Sequence, residues 1–154
     1  MELPIQAFCL NGYNGEKISM TIDEVLGFPN QTSYEGGYDT IGVLEIRAGG
    51  YHVISERYFS ATGALYRFIE ELKICYETLD GKAIYKLQLE NDLIFTISMV
   101  GRGRAIIKGE YQERPDIQNI LKFEIETDQT FFPAIIKSVE KLKLFMDNYH
   151  DELK

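Results

Sequence analysis

The chain has 154 residues, 45% of them hydrophobic and 26% charged, an ordinary composition for one globular domain spanning 1–154. Its 24 acids against 16 bases give a formal charge of −8, a field that repels nucleic acid and anionic membrane surfaces and attracts cationic partners. No apolar run reaches the roughly 20 residues of a membrane span, and two cysteines and two histidines leave disulfide scaffolds and clustered metal sites without ligands.

Residues 3–10 read as a first strand, and the dipeptides Asn11-Gly12 and Asn14-Gly15 turn it into a second over about 16–27. In that strand Ile18, Met20 and Ile22 alternate with Ser19, Thr21 and Asp23. Residues 28–40 break the periodicity with Pro29, Asn30 and Gly36-Gly37 and form a loop. Strands over 41–48 and 51–59 flank Gly49-Gly50, a further hairpin signal.

An amphipathic helix follows over about 61–79, marked by Leu65, Phe68, Ile69, Leu72, Cys75, Tyr76 and Leu79. Ser60 or Thr62 is its expected N-cap, and Gly81 suits the left-handed position after its end. A meander comes next. Tyr85, Leu87 and Leu89 alternate with polar residues up to a turn at Asn91-Asp92, and Leu93, Phe95, Ile97 and Met99 alternate again. Gly101-Arg102-Gly103 turns the chain into 104–112. The last strand sets Leu121, Phe123 and Ile125 against Lys122, Glu124 and Glu126. Beyond Asp128 or Thr130, either of which can cap, a second helix is expected over about 130–149, its stripe made of Ile135, Val139, Leu142, Met146 and Tyr149.

This order predicts an α+β domain of about eight mostly antiparallel strands, strongly curved or barrel-like, with both helices packed on it. Cys9 in an apolar strand and Cys75 on an apolar helix face read as buried free thiols. The start, Met1–Leu10, lacks the basic segment of a secretory leader, so a reducing cytoplasm is the expected setting.

Residues that carry chemistry are sparse. His52 and His150 lie far apart, so no metal or other cofactor is expected. Gly101-Arg102-Gly103 is too short for a phosphate loop and sits between strands. Glu124 and Glu126 share one strand face, where a catalytic pair would need a cleft and a solvated face needs nothing. The segment Tyr34-Glu35-Gly36-Gly37-Tyr38-Asp39 sets two tyrosines beside two acids, a composition suited to a basic protein partner. It also fits a turn whose tyrosines tuck over the sheet edge.

Several segments in order give the chain its likeness to a known family. Tyr38-Asp39 stands before the strand IGVLEI, and the helix LYRFIEELKICYETLDGKA runs into a glycine-bearing turn. The strands YKLQLE and LIFTISMVG follow, and FEIETDQTFF closes the last strand–helix junction. In these features, across roughly 38–145, the chain resembles the WapI family of bacterial immunity proteins. The resemblance implies a cytosolic, non-enzymatic protein that binds the toxic C-terminal domain of a polymorphic toxin, commonly a nuclease. The expected contacts are Tyr34, Glu35, Tyr38 and Asp39, with Glu124 and Glu126 as a second patch; neither nucleic acid nor membrane is an expected partner. A small-molecule binding module built on the curved sheet is the alternative, and an enzyme using the paired carboxylates a third reading.

Overall fold

The computed structural model describes residues 3–145. Among these residues eight strands form two separate antiparallel sheets, each in simple sequential order. The first holds β1 (Ile5–Asn11), β2 (Lys17–Leu26), β3 (Asp39–Ala48) and β4 (Tyr51–Ala61). The second holds β5 (Lys82–Tyr85), β6 (Leu93–Gly101), β7 (Arg104–Gln112) and β8 (Ile120–Asp128). Helix α1 (Thr62–Thr78) connects them, and α2 (Phe132–Ser138) follows β8 between 3-10 turns at Gln129–Phe131 and Val139–Phe145.

The α+β class and the antiparallel pairing are as expected, but among the described residues no closed barrel is found. Closure would need β4 to pair with β5 and β8 with β1, and neither pair is found among the described residues. The long second helix is broken differently from its sequence pattern. A seven-residue α-helix is flanked by 3-10 turns, with Phe132, Ile135, Val139 and Leu142 buried. Met146 and Tyr149, the rest of the expected stripe, lie outside the described residues.

One apolar cluster joins both sheets and the helices. At its centre Phe8 of β1, Phe68 of α1, Tyr85 of β5 and Phe95 of β6 meet. Tyr85 stacks on Phe95 at 5.2 Å and Phe68 meets Phe95 edge-on at 5.2 Å, arrangements favoured by the ring quadrupole. At the rim, the Thr127 hydroxyl donates to the Asn11 carbonyl at 2.7 Å and the Tyr13 N–H to the Glu126 carbonyl at 3.2 Å. These bonds fasten the β1–β2 turn to β8.

Local departures from the sequence reading have physical causes. A bulge at Ala7 turns both Ala7 and Phe8 inward and shifts the phase of β1, so Cys9 is only half-buried while Leu10 is buried. Neither Ser60 nor Thr62 caps α1: β4 runs straight into the helix, and Ala61 holds the cap position without a side-chain bond. The Ser60 hydroxyl is bonded to the Tyr85 hydroxyl at 2.7 Å, and the Thr62 hydroxyl accepts the Tyr38 N–H at 2.9 Å. At the far end Leu79, at φ 55°, takes the left-handed position and donates its N–H to the Cys75 carbonyl, with Gly81 two residues on. Of the two residues expected to cap the second helix, Asp128 caps the 3-10 turn leading into it, its carboxylate accepting the Thr130 N–H at 2.8 Å, while Phe131 holds the α2 cap position without a side-chain bond.

Gly42 marks the tightest approach in the first sheet. Register shifts on both sides of β3 at this point pinch the strands together, so an added Cβ would lie 1.7 Å from the Thr21 carbonyl oxygen. The neighbour is backbone and cannot swing away. Gly42→Ala should therefore lower stability by about 3 kcal/mol, the upper range for overpacking, read as a lower urea midpoint. A midpoint unchanged from the parent would show that β2 and β3 are not pinched at Gly42.

Candidate partner-binding surface

The six predicted contact residues fall in three different settings. Tyr34 is 74% exposed and Asp39 half-buried, whereas Glu35 and Tyr38 are buried. Glu124 and Glu126 lie exposed on the outer face of the second sheet.

Glu35 is an internal clamp. Its carboxylate accepts the N–H of Gln88, at 2.8 Å from each oxygen, and the N–H of Leu89 at 3.1 Å. The Arg67 guanidinium lies 3.4 Å away and also donates to the Glu35 carbonyl. The Glu35 N–H donates to the Ser33 hydroxyl, and the Gly63 N–H donates to the Gly36 carbonyl. Gly63 is required there, because a Cβ would stand 2.5 Å from the carbonyl oxygens of Glu35 and Gly36. The loop before β3, the first turns of α1 and the segment after β5 are thus held to one another.

The clamp accounts for a difference from the predicted meander. The step-two spacing of Tyr85, Leu87 and Leu89 predicts a strand, yet β5 ends at Tyr85. In a strand, neighbouring amides point to opposite sides. Here the consecutive amides of Gln88 and Leu89 converge on one carboxylate, a concave arrangement that binds anions. Leu87 is buried, and Leu89 is 68% exposed.

Tyr38 supports the same loop from beneath. Its ring meets Phe28 edge-on at 5.1 Å, and its hydroxyl donates to the Pro29 carbonyl at 3.3 Å. Of the two tyrosines, one tucks over the sheet and one stands out. Tyr34 and Leu89 flank the clamp as exposed apolar side chains, Tyr34 preceding Glu35 and Leu89 bonded to it.

Glu124 and Glu126 are placed less distinctively. Glu124 lies across from Lys108 at 3.3 Å, both largely exposed, an arrangement that contributes little. It borders an open depression of about 980 Å³ lined also by Lys86, Lys108, Lys122 and Glu110. That wall is of mixed sign. On the first sheet, Glu45 sits 2.6 Å from Lys17 and 2.5 Å from His52. The Lys17 hydrogen bond first, then that of His52, pull its carboxyl down to about 2.

Sequence reasoning missed three features. The clamp role of Glu35 depends on partners more than 50 positions away, and no local pattern carries that. Leu89 looked like an inward strand residue. The third is a set of exposed apolar residues on β4, Tyr51 at 68% and Ile54 at 55%, for which adjacent Val53-Ile54 was a partial signal, since strict alternation would have buried one face only.

Among the described residues, no group of three His, Cys, Asp or Glu side chains is placed to hold a metal, and no helix is long and apolar enough to cross a membrane. The model of the immunity protein WapI-like family matches residues 9–142. No curated protein and no solved structure gives a significant match.

Removing the Glu35 side chain would strand the amides of Gln88 and Leu89 and take the carboxylate away from Arg67, which keeps its bond to the Glu35 carbonyl. Glu35→Ala should cost about 3 kcal/mol or more, as for one partner of a buried pair, whereas Glu124→Ala should change stability by no more than about 0.5 kcal/mol. Urea unfolding of the two variants beside the parent measures both. Equal, small effects would remove the clamp role.

Proposed function

The chain belongs to the WapI-like immunity protein family, and from that premise we propose that it neutralises a cognate polymorphic-toxin domain by direct binding in the cytoplasm. The toxin is a basic nuclease in this reading, and the immunity protein performs no catalysis of its own. Neither nucleic acid nor a membrane takes part in its action.

The observation that carries the site is the exposure of Tyr34 and Leu89 on either side of a buried carboxylate that is bonded to two loop amides. Interfaces draw most of their energy from a few well-held, desolvated side chains, aromatic ones above all. Side chains fixed before contact lose less entropy on binding. Glu35 and Tyr38 contribute by holding the loop, and Asp39 borders it as the nearest acid in sequence. Glu124 and Glu126 add negative charge on a separate face.

The charge of −8 has a kinetic role. A basic nuclease must present cations to bind phosphates, and an acidic protein attracts the same surface. Such steering raises association toward about 10⁸–10⁹ M⁻¹s⁻¹ at low salt, which matters when each free toxin molecule can turn over repeatedly. A small-molecule role finds no comparable support, since the depression beside Glu124 is open and lined mainly by charged side chains.

The test is capture of the toxic domain encoded by a neighbouring gene at two salt concentrations, followed by dissociation rates for Tyr34→Ala and Leu89→Ala. Capture that weakens with salt is expected, with each substitution weakening affinity about tenfold or more. Both side chains are exposed, so folding should be unaffected. A double variant that binds like the parent would remove this surface from the interface.

A further inference from the structure

The first sheet has an open edge that the Tyr34–Leu89 surface does not use. β4 is the last strand of its sheet and pairs only with β3. Beside it three adjoining depressions of about 470, 530 and 610 Å³ follow Tyr51 to Tyr58. The first two share Tyr51 and His52, and the last two share Tyr111 and Glu113. The last two make one groove between the β4 edge and the facing ends of β7 and β8, and the first continues it toward the β1–β2 turn and the β3–β4 hairpin.

The ends of this groove are defined by the fold. At one end stands the Gly49-Gly50 hairpin. At the other, Gly42 lies opposite Tyr58 and Leu44 opposite Ser55, so β4 carries an extra residue and bulges at Glu56–Arg57. Bulges and charges are how sheet edges stop further pairing. The regular open edge is therefore Tyr51–Ser55. Tyr51 and Ile54 project from it, while Val53 and Leu121 are half-buried and Tyr111 buried.

The charge of the groove also has a direction. Arg47 is engaged by Glu45, which also holds the His52 ring, and Arg114 is held by Asp116 at 2.7 Å. Among the described residues, Glu56, Asp92 and Glu113 make no ion pair, and Arg57 alone stands against them. Burial in this wall pushes the Asp92 carboxyl up. An occupant that brings positive charge relieves that excess.

We propose that this edge receives an extended, basic segment of the toxin domain as a fifth strand, about five residues long, with an apolar side chain against Ile54 and a Lys or Arg facing Glu56 and Glu113. Strand addition satisfies the open backbone groups of β4 and takes specificity from alternate side chains. The inference rests on the toxin-neutralising reading and adds a second contact to it. The two contacts are continuous: the segment between β5 and β6 carries Leu89 at the clamp and Asp92 in the groove.

The experiment is residue-resolved amide hydrogen exchange of the full chain, free and with the toxin domain, together with affinities of Ile54→Asp and Glu113→Lys. Strand addition predicts that alternate amides within Tyr51–Ser55 slow at least tenfold in the complex. It also predicts that Ile54→Asp weakens capture at least tenfold with an unchanged unfolding midpoint, and that Glu113→Lys weakens it more at low salt than at high. If the toxin is captured while the β4 amides exchange as in the free chain, the fifth strand is excluded and the toxin reading stands. If Ile54→Asp alters only self-association, the edge serves a second copy and the proposal fails. If the parent chain captures no correctly folded toxin domain, both readings fall together.

Discussion

The carboxylate of Glu35 is the interaction on which the proposed binding surface depends. It lies in a nearly dry environment, and a buried charge without partners would cost several kcal/mol. Two loop amides and a guanidinium surround it, so the charge is compensated by groups from separate parts of the chain. In return those parts are fixed. The loop before β3 cannot move without releasing the segment after β5 and the first turns of α1. Tyr34 and Leu89, the exposed side chains beside this point, inherit its rigidity.

The sheets supply the frame that brings these segments together. Each is a local meander, and the long-range work is done by few contacts. The ring cluster of Phe8, Phe68, Tyr85 and Phe95 joins strands of both sheets to α1. The bonds from β8 to the β1–β2 turn close the opposite side. α1 stands between β4 and β5 in the chain, and β4 is the last strand of its sheet, so its outer edge is unpaired.

Much of this was legible in the sequence, for identifiable reasons. Half-buried antiparallel strands alternate strictly, and Ile18-Met20-Ile22 or Phe123-Ile125 could hardly be read otherwise. The glycine and asparagine turns set the hairpins, and the helix stripe of Leu65, Phe68, Ile69 and Leu72 is unambiguous. What escaped was non-local. Leu87 and Leu89 have strand spacing, but the amides of Gln88 and Leu89 are claimed by a carboxylate distant in sequence. Ser60 and Thr62 have capping chemistry, but Tyr85 and Tyr38 take their hydroxyls. Of the candidate site, Tyr34 is exposed as a contact residue must be. Glu35 and Tyr38 stand beneath the surface, since nothing in a six-residue loop distinguishes a side chain that faces a partner from one that faces the core.

Family membership supplies the biological setting, and the geometry gives it a physical form: an acidic chain with two rigid apolar projections and an open strand edge nearby. Rigidity is what separates a prepared surface from a polar loop that happens to contain a tyrosine. It is most directly measured by native-state hydrogen exchange of the Gln88 and Leu89 amides in the free protein. The clamp predicts exchange as slow as in the neighbouring strands, despite the position of both residues outside any strand. Exchange at the rate of an open loop would contradict it, and with it the account of a surface formed before its partner arrives.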